Sequence, residues 1–343
     1  MTLKRLRWSV LLFLSLAIKL HFSASPNKRF QLAWPSPNPA FARGMGFSSY
    51  IQKTGPDKEF SSGTYGCVRN NGYKFHEGLD LFPIKSDSRG KAVDLVFAAM
   101  PGKVQYINRT PGYSAYGKFI VLEHLEIVPN MYSLYAHLES IDKSLSNGSM
   151  VNVAQSLGRM GNTASYPIPL SRSHLHFEMG LRLSNKFQDW YNRQKFSTPN
   201  RHGNYSGFNL VGINPLPFYS AYKSNALKSP LEFFKSLPIQ AKIRIRTTQI
   251  PDFAQRYPSL CSPINKTQKF EGWDCSFGPF GIPLRLEQIS GILPKDPMIK
   301  VLSFDTALQE KPCRRLIERK GSQLVPSKQL KTYLELIFNL KVD

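Results

Sequence analysis

What the sequence lacks already excludes several classes of protein. Its four cysteines, Cys67, Cys261, Cys275 and Cys313, include no CxxC pair, so a zinc ribbon is not indicated. The apolar run from about Ser9 to Ile18 is only about 10 residues, too short to cross the ~30 Å hydrocarbon core as a helix. No later stretch is long and apolar enough either. Internal repeats are absent. Acidic side chains are scarce, 23 Asp and Glu against 45 Lys and Arg, for a formal charge of +22. That surplus suits polyanionic partners: nucleic acid, an anionic membrane surface or an acidic wall polymer. Histidine is also rare, 7 in 343 residues, yet two sit one residue apart in "SRSHLHFEMG".

The chain opens with Lys4, Arg5 and Arg7, then the apolar run, then small residues at Ser23–Ser25. Basic, then apolar, then small is the layout of a secretory signal peptide over 1–25. Export argues against a nucleic-acid partner. It also permits disulfides; four cysteines allow three complete pairings, among which the sequence does not decide, and Cys261 with Cys275 is the pair it leans toward. Residues 26–64 are rich in Pro, Ser and Asn and read as a loop or surface arm. From about 65 to 200, short strand-like runs such as "GKVQYIN", "GKFIVLEHL", "MYSLYAHL" and "HLHFEMGLRL" alternate with glycine-marked turns. The expectation is a mainly β, antiparallel domain. The stretch "STPNRHGNYSGFNLVGINPLPFY" reads as a boundary. Beyond it, "SPLEFFKSL" and "SKQLKTYLELIFNL" are spaced as helices and "AKIRIRTTQI" alternates as a strand, giving a smaller α+β domain over 215–343.

Residues two apart in a strand share a face, so His174 and His176 point one way while Leu175 and Phe177 point into a core. Such a pair suits a metal site, an acid–base site, or both. In "FHEGLDLF", His76 and Asp80 share parity in extended chain, with Gly78 giving room between them. Imidazole and carboxylate together suit a borderline cation such as Zn²⁺. His137, in "LYAHL", taken alone reads as a half-buried histidine.

Taken in order, "HEGLD", "YAHL" and "HLHFE" resemble the HxGxD, YxHL and HLHFE motifs of the lysostaphin/LytM-type zinc metallopeptidases, the bacterial cell-wall endopeptidases. "FAAMPGKV" and "GSMVNVAQSLGRMGNT" are similar to that family's intervening segments, with Ala154 replacing a glycine. The resemblance covers about residues 65–185. It implies a LytM-type antiparallel core and one Zn²⁺ per chain held by His76, Asp80 and His176. Three protein ligands leave a fourth position open, as in catalytic zinc sites. It implies His137 and His174 as catalytic side chains that do not bind metal. It also implies peptidoglycan as substrate and the periplasm or cell envelope as location. The basic charge then favours retention on the wall.

Five further residues are weighed beside these. His124 is expected to be structural and His202 to lie at the surface. Glu178 shares parity with His176 and is placed to orient it. Tyr113 and Tyr116 are weighed as cleft-lining against ordinary packing. One departure stands out. The "NTASYPIPLSRSHLHFE" link is longer than the family's, lacks its glycines and adds Pro167 and Pro169, beside the expected cleft. Two rivals remain. A non-catalytic relative that binds wall or activates a partner hydrolase commonly loses one or more of the five positions, and all five are present here. A D-Ala–D-Ala-type zinc peptidase spaces its first His and Asp more widely.

Overall fold

The computed structural model describes residues 29–54, 59–264, 269–308 and 313–342. The signal-peptide expectation at 1–25 lies outside the described residues. No helix among them is long and apolar enough to cross a membrane.

The first half is built from strands β1 (Gly66–Arg69), β2 (Lys74–His76), β3 (Leu79–Leu81), β4 (Leu95–Phe97), β5 (Gly102–Asn108), β6 (Phe119–His124), β7 (Met131–Ala136), β8 (Ser140–Ile141), β9 (Met150–Val151), β10 (Ser156–Arg159), β11 (Leu175–Arg182) and β12 (Leu210–Gly212). Six of them form one sheet in the order β12-β11-β7-β6-β5-β9, and β3 also pairs with β11. β1 pairs with β2, and β4-β10-β8 form a smaller sheet. Every one of these pairings is antiparallel.

β11 is central, and every residue in it is buried. Its alternation therefore sorts chemistry rather than exposure. Leu175, Phe177, Met179 and Leu181 enter the main core, while His176 and Glu178 face the opposite side. Phe119, Val121, Tyr132, Leu134 and Leu210 make a second apolar layer on that side.

The second half holds the helices α1 (Phe187–Gln194), α2 (Pro215–Lys223), α3 (Pro230–Ser236), α4 (Asp252–Arg256) and α5 (Lys328–Phe338), with β13 (Ala241–Arg246), β14 (Gly272–Phe277), β15 (Pro283–Ile289) and β16 (Ile299–Phe304) forming a sheet in the order β15-β14-β13-β16. β13, α3 and α5 lie where the alternating and helical spacings place them. Ser327 caps α5 by accepting from the Leu330 amide. One apolar cluster runs from Ala40 through Tyr135 and Phe177 to Trp273 and Phe338, so the second half packs on the first.

Two stretches differ in detail from the sequence reading. The 26–64 arm is irregular, but its described part is packed. Trp34 stacks on Phe41 at 4.4 Å, and Ile51 bridges Leu81 on β3. Leu210–Gly212, inside the expected boundary, pairs with Gly180–Arg182 as an edge of the main sheet. Three residues between glycines and prolines are too few to show a strand period.

The expected Cys261–Cys275 pair is not formed. The disulfide is Cys67–Cys313, spanning 246 residues, and Cys261 and Cys275 are free. Leu286 lies between them: it pairs with Cys275 on one side and bridges Cys261 on the other. Two strand spacings of about 4.8 Å separate their backbones, beyond the ~7 Å that a disulfide spans.

Candidate metal centre and cleft

His76 ends β2, and Asp80 is the middle residue of β3. Glu77 and Gly78 connect them, and only glycine fits at 78. A Cβ there would lie 2.1 Å from the Phe177 carbonyl oxygen. That close approach lets β3 pair with β11, with Asp80 directly opposite His176.

Three ligand atoms converge. His76 Nε2 is 3.1 Å from Asp80 Oδ1 and 3.1 Å from His176 Nδ1, and His176 Nδ1 is 3.0 Å from Asp80 Oδ1. All three side chains are buried. Their hydrogen-bond partners fix the tautomers. The Thr64 carbonyl, 2.7 Å from His76 Nδ1, can only accept, so that nitrogen donates. The Glu178 carboxylate, 2.8 Å from His176 Nε2, likewise takes a proton from that nitrogen. His76 Nε2 and His176 Nδ1 are left as lone pairs facing each other and a carboxylate oxygen. Three acceptors so close repel unless a cation or a proton lies among them. Donors bound to tetrahedral Zn²⁺ at ~2.0–2.2 Å sit roughly 3.3 Å apart, so the triangle fits that ion.

The electrostatics agree. Burial would raise the Asp80 carboxyl, but His76, His174, Arg69 and the His176 hydrogen bond outweigh it and hold it well below the usual range. Burial would lower His176, but its hydrogen bonds to Asp80 and Glu178 pull it up to about 9. The corner thus attracts positive charge. Arg69 Nη2 donates to the outer oxygen, Asp80 Oδ2, which leaves Oδ1 turned inward. Glu178 is itself held by the hydroxyls of Tyr116 at 2.6 Å and Tyr132 at 2.9 Å.

His137 and His174 stand beside the triangle, their rings 4.7 Å apart. His137 follows β7 with φ +59°, a left-handed backbone that turns its ring into the cleft. Its Nδ1 donates to the Thr163 carbonyl at 2.8 Å. His174 Nδ1 donates to the Arg172 carbonyl at 2.8 Å, and its Nε2 is 3.6 Å from Asp80 Oδ1. Burial first, and neighbouring histidines second for His137, lower both pKa values. Both rings are therefore neutral at pH 7, each offering Nε2 as a proton acceptor.

The structure thus brings all five sequence-identified side chains together, with Glu178 in the orienting place. A cavity of about 440 Å³ opens over them. Its roof is the long link, through Tyr166, Pro167, Ile168, Pro169 and Arg172. Tyr116 lines this cavity; Tyr113 lines a neighbouring one. His124 is fully buried between the Pro101 carbonyl and Ser133 Oγ, as a structural residue should be. His202 is half-buried, bonded to Tyr106 and the Tyr113 carbonyl. Arg69 went unrecognised in the sequence, where an arginine in "CVRN" carries no signal.

Residues 74–189 match the model of Peptidase family M23. No curated protein matches the chain. Among solved structures, a putative glycyl-glycine endopeptidase LytM from Ruminococcus gnavus is 21% identical, with 44% of this chain and 47% of that one covered and a TM-score of 0.29. This chain therefore spans about half of that relative. The catalytic domain of lysostaphin from Staphylococcus simulans is 21% identical, with 51% and 95% covered and a TM-score of 0.30. The SpoIIQ–SpoIIIAH pore-forming complex supplies a third, 21% identical, with 56% and 92% covered and a TM-score of 0.32. All five side chains fall inside the matched segment, and residues 74–189 are a domain of peptidase family M23, the family of LytM and lysostaphin.

Proposed function

We propose that the chain is an exported zinc-dependent endopeptidase that hydrolyses peptide bonds of peptidoglycan, working in the periplasm or cell envelope. The observation that carries this reading is the triangle of His76 Nε2, Asp80 Oδ1 and His176 Nδ1, flanked by two neutral imidazoles. A bound Zn²⁺ supplies Lewis acidity and lowers the pKa of a water from 15.7 to about 7. The protein's own part is proton handling at two atoms, Nε2 of His137 and Nε2 of His174. Each can take a proton from the attacking water and return it to the leaving amine. As a ring becomes cationic, its Nδ1–H bond to the Thr163 or Arg172 carbonyl strengthens and holds its orientation. General acid–base help of this kind is typically worth ~10²–10⁴-fold.

The basic N-terminal pattern supports export, and the +22 charge supports retention on an anionic wall. The test is zymography on purified cell wall. Clearing should vanish with a chelator and return with Zn²⁺. His76→Ala should lose the metal; His137→Ala should keep one zinc per chain and lose turnover. Wall binding without clearing in any metal state would replace this reading with a non-catalytic one. Zinc loss in His137→Ala would overturn the division of roles.

A further inference from the structure

We propose that the cleft holds a carboxylate of its substrate through Arg172, assisted by Lys74, so that acidic wall peptides are preferred over oligoglycine; this rests on the peptidase reading above. The cavity carries positive charge that its own acids do not neutralise. The charged side chains lining the cavity are Arg69, Lys74, Glu77, Asp80 and Arg172. Arg69 is bound to Asp80, and Glu77 is bound to Arg314 at 3.0 Å. Lys74 and Arg172 have no carboxylate partner among the described residues. Among the described residues no unpaired acid faces the cavity, and a divalent cation held by the triangle would make it more positive still.

Arg172 is placed for the task. It ends the short turn Leu170–Arg172 within the long link. Its carbonyl holds the reacting His174, so its guanidinium springs from two residues before that ring. Pro167 and Pro169 restrict the backbone leading to it, which reduces the freedom lost when a substrate docks. The planar guanidinium can grip a carboxylate through two parallel hydrogen bonds. A glycine bridge offers it nothing. An acidic residue beside the scissile bond offers a direct partner.

The experiment uses the full zinc-loaded chain on two samples of cell wall, one native and one with its carboxyls converted to amides. Released fragments are counted by mass spectrometry. The parent protein should cut native wall at least tenfold faster. Arg172→Ala should bring that ratio to within twofold of one, Arg172→Lys should restore part of it, and Arg285→Ala, in the C-terminal sheet, should leave it unchanged. Equal cutting by the parent, or a full tenfold ratio in Arg172→Ala, overturns the proposal. If neither wall is cut, the peptidase reading falls and calorimetry decides the subsite separately. A soluble wall peptide in carboxylate form should then bind at least tenfold tighter than its amide, and lose that advantage in Arg172→Ala. Equal binding overturns it.

Discussion

Glu178 is buried behind His176 and does not line the cavity, yet removing it should cripple the proposed metal site. Its carboxylate is buried and receives three donors: His176 Nε2 at 2.8 Å, the Tyr116 hydroxyl at 2.6 Å and the Tyr132 hydroxyl at 2.9 Å. The first of these keeps the proton on Nε2 and the lone pair on Nδ1, where the ligand triangle needs it. Partners of this kind typically matter by 10–100-fold in metal affinity, which is about 1.4–2.7 kcal/mol. In Glu178→Gln, the amide oxygen can replace Oε1 and still accept from His176 and Tyr116. Its NH₂ then faces the Tyr132 hydroxyl, which must turn round and accept. The expected loss is about tenfold or less. In Glu178→Ala the ring is free to rotate or to move its proton to Nδ1, and the expected loss is about 100-fold. Two buried hydroxyls also lose their acceptor, at ~1–3 kcal/mol each, so the metal-free fold should melt lower.

The assay is competition for Zn²⁺ against a chromophoric chelator, with circular dichroism to confirm folding. A folded Glu178→Ala that binds zinc within twofold of the parent would show that Glu178 does not set the tautomer of His176, and the argument would fail.

Two other predictions concern the scaffold. Ala154, exposed, sits at φ +60°, in the left-handed region that favours glycine. A left-handed non-glycine residue costs ~1–2 kcal/mol and glycine's extra chain entropy ~0.5–1 kcal/mol, so Ala154→Gly should stabilise by about 0.5–1 kcal/mol. A lower Tm in the variant would refute this. Burial pushes His124 down to about 4, whereas an unfolded histidine titrates near 6.5. Between those values the unfolded chain binds more protons, so this contribution is fully present above pH 6.5 and falls away toward pH 4, by about 3 kcal/mol. Urea unfolding at pH 7 and pH 4.5 should show His124→Gln losing less stability than the parent. Equal losses would contradict the assignment.

The sequence revealed those parts of the site that are set by local parity or spacing. The HxH pair needed only a strand period, because the extended backbone running from His174 into β11 keeps His174, His176 and Glu178 on one side. His76 and Asp80 were read as one extended segment. They belong to two strands joined at Gly78, and it is the pairing of Asp80 with His176 that makes their spacing work. The length of the 162–173 link pointed to an altered cleft, and its residues do form the roof. What stayed hidden depends on backbone atoms or on distant chain. The carbonyls of Thr64, Thr163 and Arg172 set three histidine tautomers, and no side-chain identity at those positions predicts that. Arg69 matters only because β1 runs beside β2. Nearness in sequence misled for Cys261 and Cys275, since a strand passes between them.

Among the described residues, the C-terminal third offers no atom to the His76–Asp80–His176 triangle, yet three contacts tie it to that corner. Cys313 is joined to Cys67 on β1. Gly66, next to Cys67, pairs with His76, and Arg69 of the same strand grips Asp80. Arg314, next to Cys313, stacks 3.8 Å over Phe75, pairs with Glu77 and donates to the Tyr333 hydroxyl on α5. Residues 75, 77 and 80 are therefore braced from behind by residues 313 and 314, while His176 is fixed from the opposite side by Glu178. With neither cation nor proton among them, the three acceptor atoms 3.0–3.1 Å apart would repel, and the braced chain around them resists their spreading. On the proposed reading of this corner as a metal site, a pocket held in this way would lose less freedom when a cation enters, and the C-terminal third would act on metal affinity through rigidity rather than through coordination.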